Sequence, residues 1–538
     1  MKIIKNHIIV IAGIVLSMSM IGCKSQFLNR PPQSSIVSGN FYKNADQLSK
    51  ATAPLYNIPW FDYNGPTAFD IGDAAAGNMI TSDQGYSQFV NLDVSNTNAF
   101  ITKAWASLYS VVNDANTLLY NINNQASKSI AQKDINNAIA QARFMRAVAY
   151  FYLVRIFGAV PIITNTSQLI KQPEVPRNKV ADVYQFIIND LQFAANNLPD
   201  TPTQPGRVTK WSAEGYLTRV YLFKAALDHS GQSENTADLK EAQKYGKDVC
   251  DNSGISLLPN FANLFRRQYN NNQESLFALQ WVANEGWGSQ NVTQAFLAAV
   301  PKITGVGDGW GGGTSASAFL LKLFSNNQTD SLRQKATYMF YGDHYPDILK
   351  KDGGYTYTGT YVVRSAVKKY VVGTPADNSG HVGFMSTDIN TYMLRLAGVY
   401  LDYAEAILGN QNSTSNVEAL RYYNAVRERA GLKPKSSITF WDIWNTRWKE
   451  LAFEDKDWFS LVRLHYFKPQ VAINYINNQN REENYTYDPT TKDTTFTMPT
   501  TPVKATASDF TFPYPEKDVL ANSKLTQPPV SYDFKQQK

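Results

Sequence analysis

The sequence contains few of the residues from which catalytic and metal centres are usually built. It has two cysteines, Cys23 and Cys250, so a disulfide framework is excluded and we expect Cys250 to be a small buried hydrophobic residue. Its five histidines are isolated from other metal-ligating residues at helical spacing, and a zinc site is therefore not expected. No G-x-S-x-G, H-E-x-x-H or Walker lysine motif occurs. We expect no enzyme, cofactor or metal, although a paired-carboxylate hydrolase needs no fixed spacing and stays open.

Charge is also scarce. Only 18% of the residues are charged, and the net charge is +6; removing Lys2 and Lys5, which carry two of these positive charges, leaves +4. No run of Lys and Arg with interleaved aromatics appears, so nucleic-acid binding is not expected. Aromatic residues are instead abundant, with 31 Tyr and 10 Trp. This composition suits an extracytoplasmic protein that meets polar, uncharged ligands.

Long apolar runs are confined to the N-terminus. Two lysines precede the apolar stretch Ile8 to Met20, which is too short to span a bilayer and is typical of a signal peptide covering residues 1–22. The sequence Met20-Ile21-Gly22-Cys23 resembles a bacterial lipobox, which predicts cleavage before Cys23, lipidation of Cys23 and a tether over residues 23–40. The alternative is a secreted protein with an incidental cysteine. Surface-exported lipoproteins often carry acidic residues just after this cysteine, and this chain has none there. The sequence therefore does not decide on which face of the membrane a lipidated protein would be exposed.

The most regular helical stretch is Gln141 to Ile163. Both of its faces are apolar, which predicts a helix buried on more than one side and ended by Gly158 and Pro161. Its three arginines should find acidic partners on neighbouring helices; they are Arg143, Arg146 and Arg155.

Helical periodicity recurs on both sides of two irregular regions. Further helices are predicted over Ile101–Asn123, Pro176–Pro199, Lys210–Leu227, Leu239–Cys250, Asp388–Gly409, Asn424–Leu432 and Arg447–Arg463. Small residues at Ala213 and Gly215, where helices approach closely, suggest tetratricopeptide-like hairpins. The regions Trp60–Asn98 and Gly254–Met385 are rich in Gly, Asn and aromatics, and SLFALQWV within the second is predicted to be a strand. We therefore expect a mainly α fold, with a scaffold of helical hairpins and a loop-rich region containing short β elements.

Three of these helices carry a family resemblance. They read QARFMRAVAYFYLVRIFGAVPII, INTYMLRLAGVYLDYAEAIL and RWKELAFEDKDWFSLVR, and they resemble helices of the SusD/RagB family of surface lipoproteins from Bacteroidota-type bacteria. Gly398 stands where the family usually has Glu, which removes a possible buried partner for Arg395. The resemblance implies an N-terminal helical region over 41–255 and a C-terminal region over 256–538, with a loop-rich insertion at 256–385.

The resemblance also implies a function. It predicts a lipid-anchored outer-membrane protein that captures an oligosaccharide or polysaccharide for a SusC-like TonB-dependent transporter. A peptide-binding lid, as in the RagB branch, and a structural clamp of the transporter are the alternatives.

A sugar offers an apolar C–H face to aromatic rings and a hydroxyl rim to polar side chains. We expect such groups in the two irregular regions, where the family match is weakest and a ligand site would vary. The candidate ligand-binding residues are Trp287, Trp310, Tyr86, Phe89, Asn78 and Asp83. Gly307, Gly309 and Gly312 form a G-x-G-x-x-G pattern, but no buried strand precedes it, so a flexible loop around Trp310 is the better interpretation than a dinucleotide site.

Overall fold

The computed structural model describes residues 41–81, 84–227, 233–325, 330–359, 365–488, 490–491 and 493–537. The predicted signal peptide, the tether with Cys23, and Asp83 lie outside these residues. Helices dominate the described chain and its strands are short, which confirms the predicted fold class. None of the helices in the described ranges is long and apolar enough to cross a membrane.

The N-terminal region is an array of paired helices. Its elements are α1 (Ala45–Thr52), α2 (Pro66–Phe69), β1 (Met79–Thr81), α3 (Gln84–Asn91), α4 (Ala99–Gln125), α5 (Gln132–Phe157), α6 (Val180–Asn197), α7 (Lys210–Ala225) and α8 (Thr236–Asn252). From α4 to α8, each helix packs against the next one along the chain. This neighbour-to-neighbour packing is the predicted hairpin scaffold, and the predicted helices differ from the observed ones only at their ends.

Helix α5 forms the centre of the scaffold, and its second half is buried on every side. Arg146 contacts both carboxylate oxygens of Asp190 on α6, at 2.8 and 2.9 Å, as the sequence predicted. The prediction is wrong for Arg155, whose guanidinium lies 3.8 Å from the ring centre of Phe151 and 4.0 Å from that of Phe459. Aromatic faces therefore replace a carboxylate as the partners of this buried cation. The helix ends where Gly158 adopts a φ of 70°.

The loop-rich region contains short helices and two-stranded antiparallel pairs. Its elements are β2 (Ser275–Leu279), α9 (Thr293–Leu297), α10 (Pro301–Thr304), β3 (Thr314–Ala316), α11 (Ala318–Ser325), α12 (Ser331–Thr337), β4 (Tyr338–Met339), β5 (His344–Tyr345), β6 (Tyr355–Thr356), β7 (Ala366–Val367), β8 (Val382–Gly383), β9 (Ser386–Thr387) and β10 (Thr391–Arg395). Strand β2 confirms the prediction for SLFALQWV. It pairs with β10, so the helix predicted from Asp388 is wrong over its first residues, where strand pairing overrides helical propensity.

The C-terminal region adds helices to the scaffold and then returns across it. Its elements are α13 (Leu396–Leu408), β11 (Ser413–Thr414), α14 (Val417–Arg429), β12 (Ile438–Thr439), α15 (Phe440–Leu451), α16 (Asp457–Phe467), α17 (Pro469–Asn477), β13 (Tyr485–Tyr487), β14 (Thr494–Phe496) and α18 (Glu516–Ala521). The single helix predicted over Arg447–Arg463 is two helices, because Phe453 and Asp455 adopt positive φ values of 59° and 60°. The chain then packs against α5, where the Phe512 N–H donates to the Ile156 carbonyl at 2.9 Å. Cys250 is half-buried rather than fully buried.

Arg395 is fully paired despite Gly398. Its guanidinium donates to Glu274, Glu450 and Glu454 at 2.6–2.8 Å. The expectation that a missing glutamate at position 398 weakens the pairing of Arg395 is therefore wrong. A Cβ at Gly398 would instead stand 2.6 Å from the guanidinium of Arg219, so this glycine makes room for a different cation.

Three aspartates are buried at the break between α15 and α16. Asp73 accepts hydrogen bonds from the Asn78 amide at 2.8 Å and from the Phe453 N–H at 2.6 Å. Asp455 accepts one from the Tyr63 hydroxyl at 2.8 Å, and Asp457 accepts one from the Asn78 amide at 2.7 Å. Burial raises the pKa of Asp73 to about 6 and that of Asp455 to about 8, against the opposing effect of these hydrogen bonds. The folded state therefore favours protonated carboxyls here.

We expect the protein to lose stability between pH 5 and pH 7.5. The folded-state pKa of Asp455 lies above its ordinary value, so the stabilisation is complete below about pH 4 and is lost as the pH rises towards 8. Asp455→Asn stays neutral and suits a positive φ, and it should reduce this loss by about 1–3 kcal/mol. Urea unfolding of both proteins at pH 5 and 7.5 measures the effect. The same pH dependence in both proteins would show that Asp455 does not bind the proton.

Candidate functional site

The two irregular regions of the sequence lie side by side in the fold. Strand β1 pairs antiparallel with β3, which places Met79 opposite Ala316 and Thr81 opposite Thr314. Beside them, the buried side chain of Asn291 accepts a hydrogen bond from the Asn64 amide at 3.1 Å and donates to the Ile389 carbonyl at 2.8 Å. This buried amide joins three chain segments. It fixes their relative positions because breaking either hydrogen bond would leave a buried polar group unpaired.

Three large aromatic side chains are exposed on neighbouring loops of this region, and we call Trp287, Phe384 and Trp310 the aromatic surface. Their exposed fractions are 71%, 59% and 48%. Trp310 packs edge-on against Phe384, with ring centres 5.8 Å apart, and Trp287 packs edge-on against Phe61 at 5.2 Å. Each exposed ring is therefore held by a neighbouring aromatic ring while much of its surface remains open to solvent.

Hydrogen bonds hold the three loops together. The Trp310 N–H donates to the Ala295 carbonyl at 2.8 Å, and the Met385 N–H donates to the buried carboxylate of Asp308 at 2.6 Å. The Asn284 N–H, on the loop of Trp287, donates to the Ser386 hydroxyl at 2.9 Å. The β8–β9 hairpin therefore connects the loop of Trp287 with the loop of Trp310.

Trp287 and Trp310 were named as candidates from the sequence, and the structure shows both exposed, but Phe384 was not named. This residue lies in the two-residue turn of the β8–β9 hairpin, followed by Met385 with a φ of 49°. Strands of two residues each give almost no alternation pattern, so the available signal was a glycine beside an aromatic residue in a short turn.

The structure does not support two of the other candidates. Phe89 is fully buried against Phe512, so its ring offers no face to a ligand. Asn78 is also fully buried, and its side chain binds Asp73, Asp457 and the Trp448 indole. Both residues are structural, and both predictions are wrong.

Tyr86 keeps a partly exposed side chain on α3. Its ring packs on Phe100, with ring centres 4.7 Å apart. Helix α3 follows β1 in the chain, and β1 pairs with β3, the strand that follows the loop of Trp310. Tyr86 therefore follows the strand that pairs with β3, and it stays a candidate.

Comparisons with known proteins identify the family. A family profile described as starch-binding and associating with the outer membrane matches residues 27–222, and the profile of the SusD family matches residues 221–530. A SusD-like protein of Bacteroides ovatus is 40% identical over 98% of this chain and 99% of its own. The chain belongs to the SusD family.

Solved structures of SusD-like proteins share the fold of this family member. A crystal structure with a xylogluco-oligosaccharide is 40% identical, with a TM-score of 0.84 over 90% of this chain and 99% of that one. A laminarin-binding SusD-like protein is 22% identical, with a TM-score of 0.66 over 91% of this chain and 100% of that one, a likeness of fold alone.

Close packing at Gly311 should position Trp310 in this SusD-family protein. A Cβ on Gly311 would stand 2.4 Å from the carbonyl oxygen of Leu297, so Gly311→Ala must displace the backbone beside Trp310. Gly286→Ala, beside Trp287, is the matched control because nothing lies within 4 Å of its Cβ. We expect Gly311→Ala to change the near-ultraviolet circular dichroism and to lower stability by about 1–3 kcal/mol, while Gly286→Ala changes neither. Equal effects of the two variants would contradict the role of Gly311.

Proposed function

We propose that this protein is a non-catalytic outer-membrane lipoprotein that binds a glycan on the aromatic surface and passes it to a SusC-like TonB-dependent transporter. The observation that carries the proposal is the exposure of Trp287, Phe384 and Trp310 on loops held by hydrogen bonds. Large aromatic side chains are usually buried, and a group of exposed ones marks a binding site.

Sugar chemistry fits this surface. The C–H face of a pyranose ring stacks on an aromatic face, and amide groups such as the exposed Asn284 can reach the hydroxyl rim. Rings on three loops can take successive sugars of an extended chain. Tyr86, on helix α3, is the candidate for a further sugar.

The ligand we propose is a xyloglucan-type oligosaccharide. A solved relative that is 40% identical over 90% of this chain has such an oligosaccharide in its crystal structure. Similarity at that level, together with exposed tryptophans on this chain, favours a β-glucan backbone over a peptide.

Replacement of either tryptophan should weaken glycan binding. Trp287→Ala and Trp310→Ala each remove a ring face, and each should cost about 1–3 kcal/mol of binding free energy. Isothermal titration calorimetry with a xyloglucan heptasaccharide measures this, and unchanged urea midpoints show that the variants fold. Trp441→Ala is the matched control, because Trp441 is also partly exposed but stacks on Tyr475, away from these loops. Full affinity in both variants would exclude the aromatic surface.

A first screen separates this proposal from its alternatives. The protein from Lys24 onward is run in gels containing xyloglucan, other neutral glycans or no glycan. Retardation by a glycan supports capture of polysaccharide. No retardation by any glycan, with binding of oligopeptides instead, would indicate a peptide-binding lid, and no binding of either would indicate a clamp.

Membrane attachment and the transporter are tested together in a Bacteroidota-type host. We expect Cys23 to carry the lipid, so Cys23→Ala should move the protein out of the outer-membrane fraction. The wild-type protein should co-purify from detergent with a large β-barrel transporter. A membrane-bound Cys23→Ala protein would exclude the lipid anchor, and purification without a barrel would exclude a stable transporter complex.

A further inference from the structure

A second concave region lies away from the aromatic surface. One cavity of about 470 Å³ is formed by residues 259–266, by α12 and by the chain at 344–347, and a second of about 450 Å³ is lined by Tyr269, Lys350, Val372 and Asn378. Arg266 and Asp347 line both cavities, so the two cavities adjoin at these side chains, and we treat them together as one groove. Each cavity lies within the range of about 300–1,000 Å³ that is typical of small-molecule sites.

The groove carries more positive than negative charge. Arg266 and Lys368 lie 3.4 and 3.5 Å from Asp347, the only carboxylate among the described residues that line either cavity, and Lys335 adds a further positive charge to the lining. The ammonium groups of Lys335 and Lys368 both approach the ring of Tyr345, at 5.8 and 5.7 Å from its centre. We call Arg266, Lys335, Lys368 and Asp347 the cationic groove. Arg429 also lines it, but its charge is balanced by Glu274 at 2.8 Å and by Glu450.

The cations of the groove are incompletely paired. Lys368 is buried, and its ammonium donates to the Val371 carbonyl at 2.9 Å but lies 3.5 Å from Asp347. Burial lowers the pKa of Lys368 in spite of that carboxylate, so its charge is poorly compensated. The Nε of Arg266 stands 3.4 Å from Asp347 and has no hydrogen-bond partner within the described residues. The two cations therefore share the single carboxylate of Asp347, and a bound anion would give each of them a further partner.

The shape of the groove favours a sugar acid over a simple ion. Its wall includes the exposed apolar side chains of Leu332 and Pro346, which can contact the C–H face of a sugar. An arginine fork matches the geometry of a carboxylate, which it can bind with two parallel hydrogen bonds. A site that combines the two chemistries fits a uronic acid.

The groove and the aromatic surface share one stretch of chain, residues 372–381. Val372 and Asn378 line the groove. Elsewhere in this stretch, Gln294 accepts from the Val372 N–H at 2.6 Å, and Asn284 donates to the Gly380 carbonyl at 3.1 Å. Asn284 belongs to the loop of Trp287, so the chain that lines the groove also contacts a loop of the aromatic surface. The choice of a glycan over an acidic peptide as the occupant rests on the proposed function.

We propose that the cationic groove is a second binding site, which takes the carboxylate of an acidic sugar, so that the protein binds uronic-acid-containing glycans independently of neutral ones. The carboxylate is recognised by the charges of Arg266, Lys335 and Lys368, and the sugar ring by apolar contact with Leu332 and Pro346.

The test compares trigalacturonate with neutral galactotriose by isothermal titration calorimetry at low salt. We expect trigalacturonate to bind, galactotriose to bind at least tenfold more weakly, and trigalacturonate binding to weaken several-fold between 50 and 300 mM NaCl because its ion pairs are screened. Arg266→Gln/Lys335→Gln should reduce trigalacturonate affinity at least tenfold. Lys335→Gln alone changes an exposed side chain, and it should reduce trigalacturonate affinity by less than the double variant does.

Matched controls separate this site from general charge and from the aromatic surface. Lys133→Gln/Lys240→Gln removes two positive charges from exposed positions on α5 and α8, and it should leave the affinity for trigalacturonate unchanged. Trp287→Ala should bind trigalacturonate with an affinity within twofold of the wild-type value. Arg266→Gln/Lys335→Gln should bind the xyloglucan heptasaccharide as tightly as the wild type. The outcome for the neutral glycan tests the proposed function, and the outcome for trigalacturonate tests the groove.

Four results would overturn the proposal. They are no binding of trigalacturonate, equal binding by the wild type and Arg266→Gln/Lys335→Gln, displacement of trigalacturonate by sulfate at equal concentration, and tighter binding of tetraglutamate. The third would indicate a site for a free anion, and the fourth a site for an acidic peptide.

Discussion

The pairing of Arg395 with three buried glutamates is the interaction on which the loops of the aromatic surface depend. Arg395 ends β10 and directly precedes α13, while Glu274 precedes β2 and Glu450 lies on α15. Positive groups around Glu450 hold its pKa well below the ordinary value in spite of burial. Buried charges are tolerated when they are paired in this way, and removal of one partner leaves the others uncompensated. The cluster therefore fixes the β2–β10 pair, from which the loops extend, to the helical scaffold.

The scaffold could be predicted from the sequence because its signals are local. Apolar spacing predicted the long helices, and Gly158 and Pro161 predicted the end of α5. An acidic partner on a neighbouring helix was expected for Arg146, and the structure shows it to be Asp190. The errors arose where distant contacts decide the local structure. Pairing with β2 makes a strand of residues 391–395, and the positive φ values of Phe453 and Asp455 divide one predicted helix into two.

The candidate site was predicted less well. An aromatic residue in an irregular segment can point outwards, as Trp287 does, or pack inwards, as Phe89 does against Phe512, and composition does not distinguish the two. The prediction for Asn78 has the same limit, because its side chain binds Asp457, which lies far along the chain and could not be recognised as a partner from the sequence. The cationic groove is likewise assembled from residues 266, 335, 347 and 368, whose spacing forms no motif.

The three rings of the aromatic surface lie on three separate loops, each anchored to a scaffold that does not itself supply a ring. A substitution or an insertion in one loop can therefore alter one ring while the others and the fold are kept. In such an arrangement, the exposed surface can change in evolution one loop at a time. Descendants of a single ancestral protein could diverge in this surface without passing through an unstable intermediate.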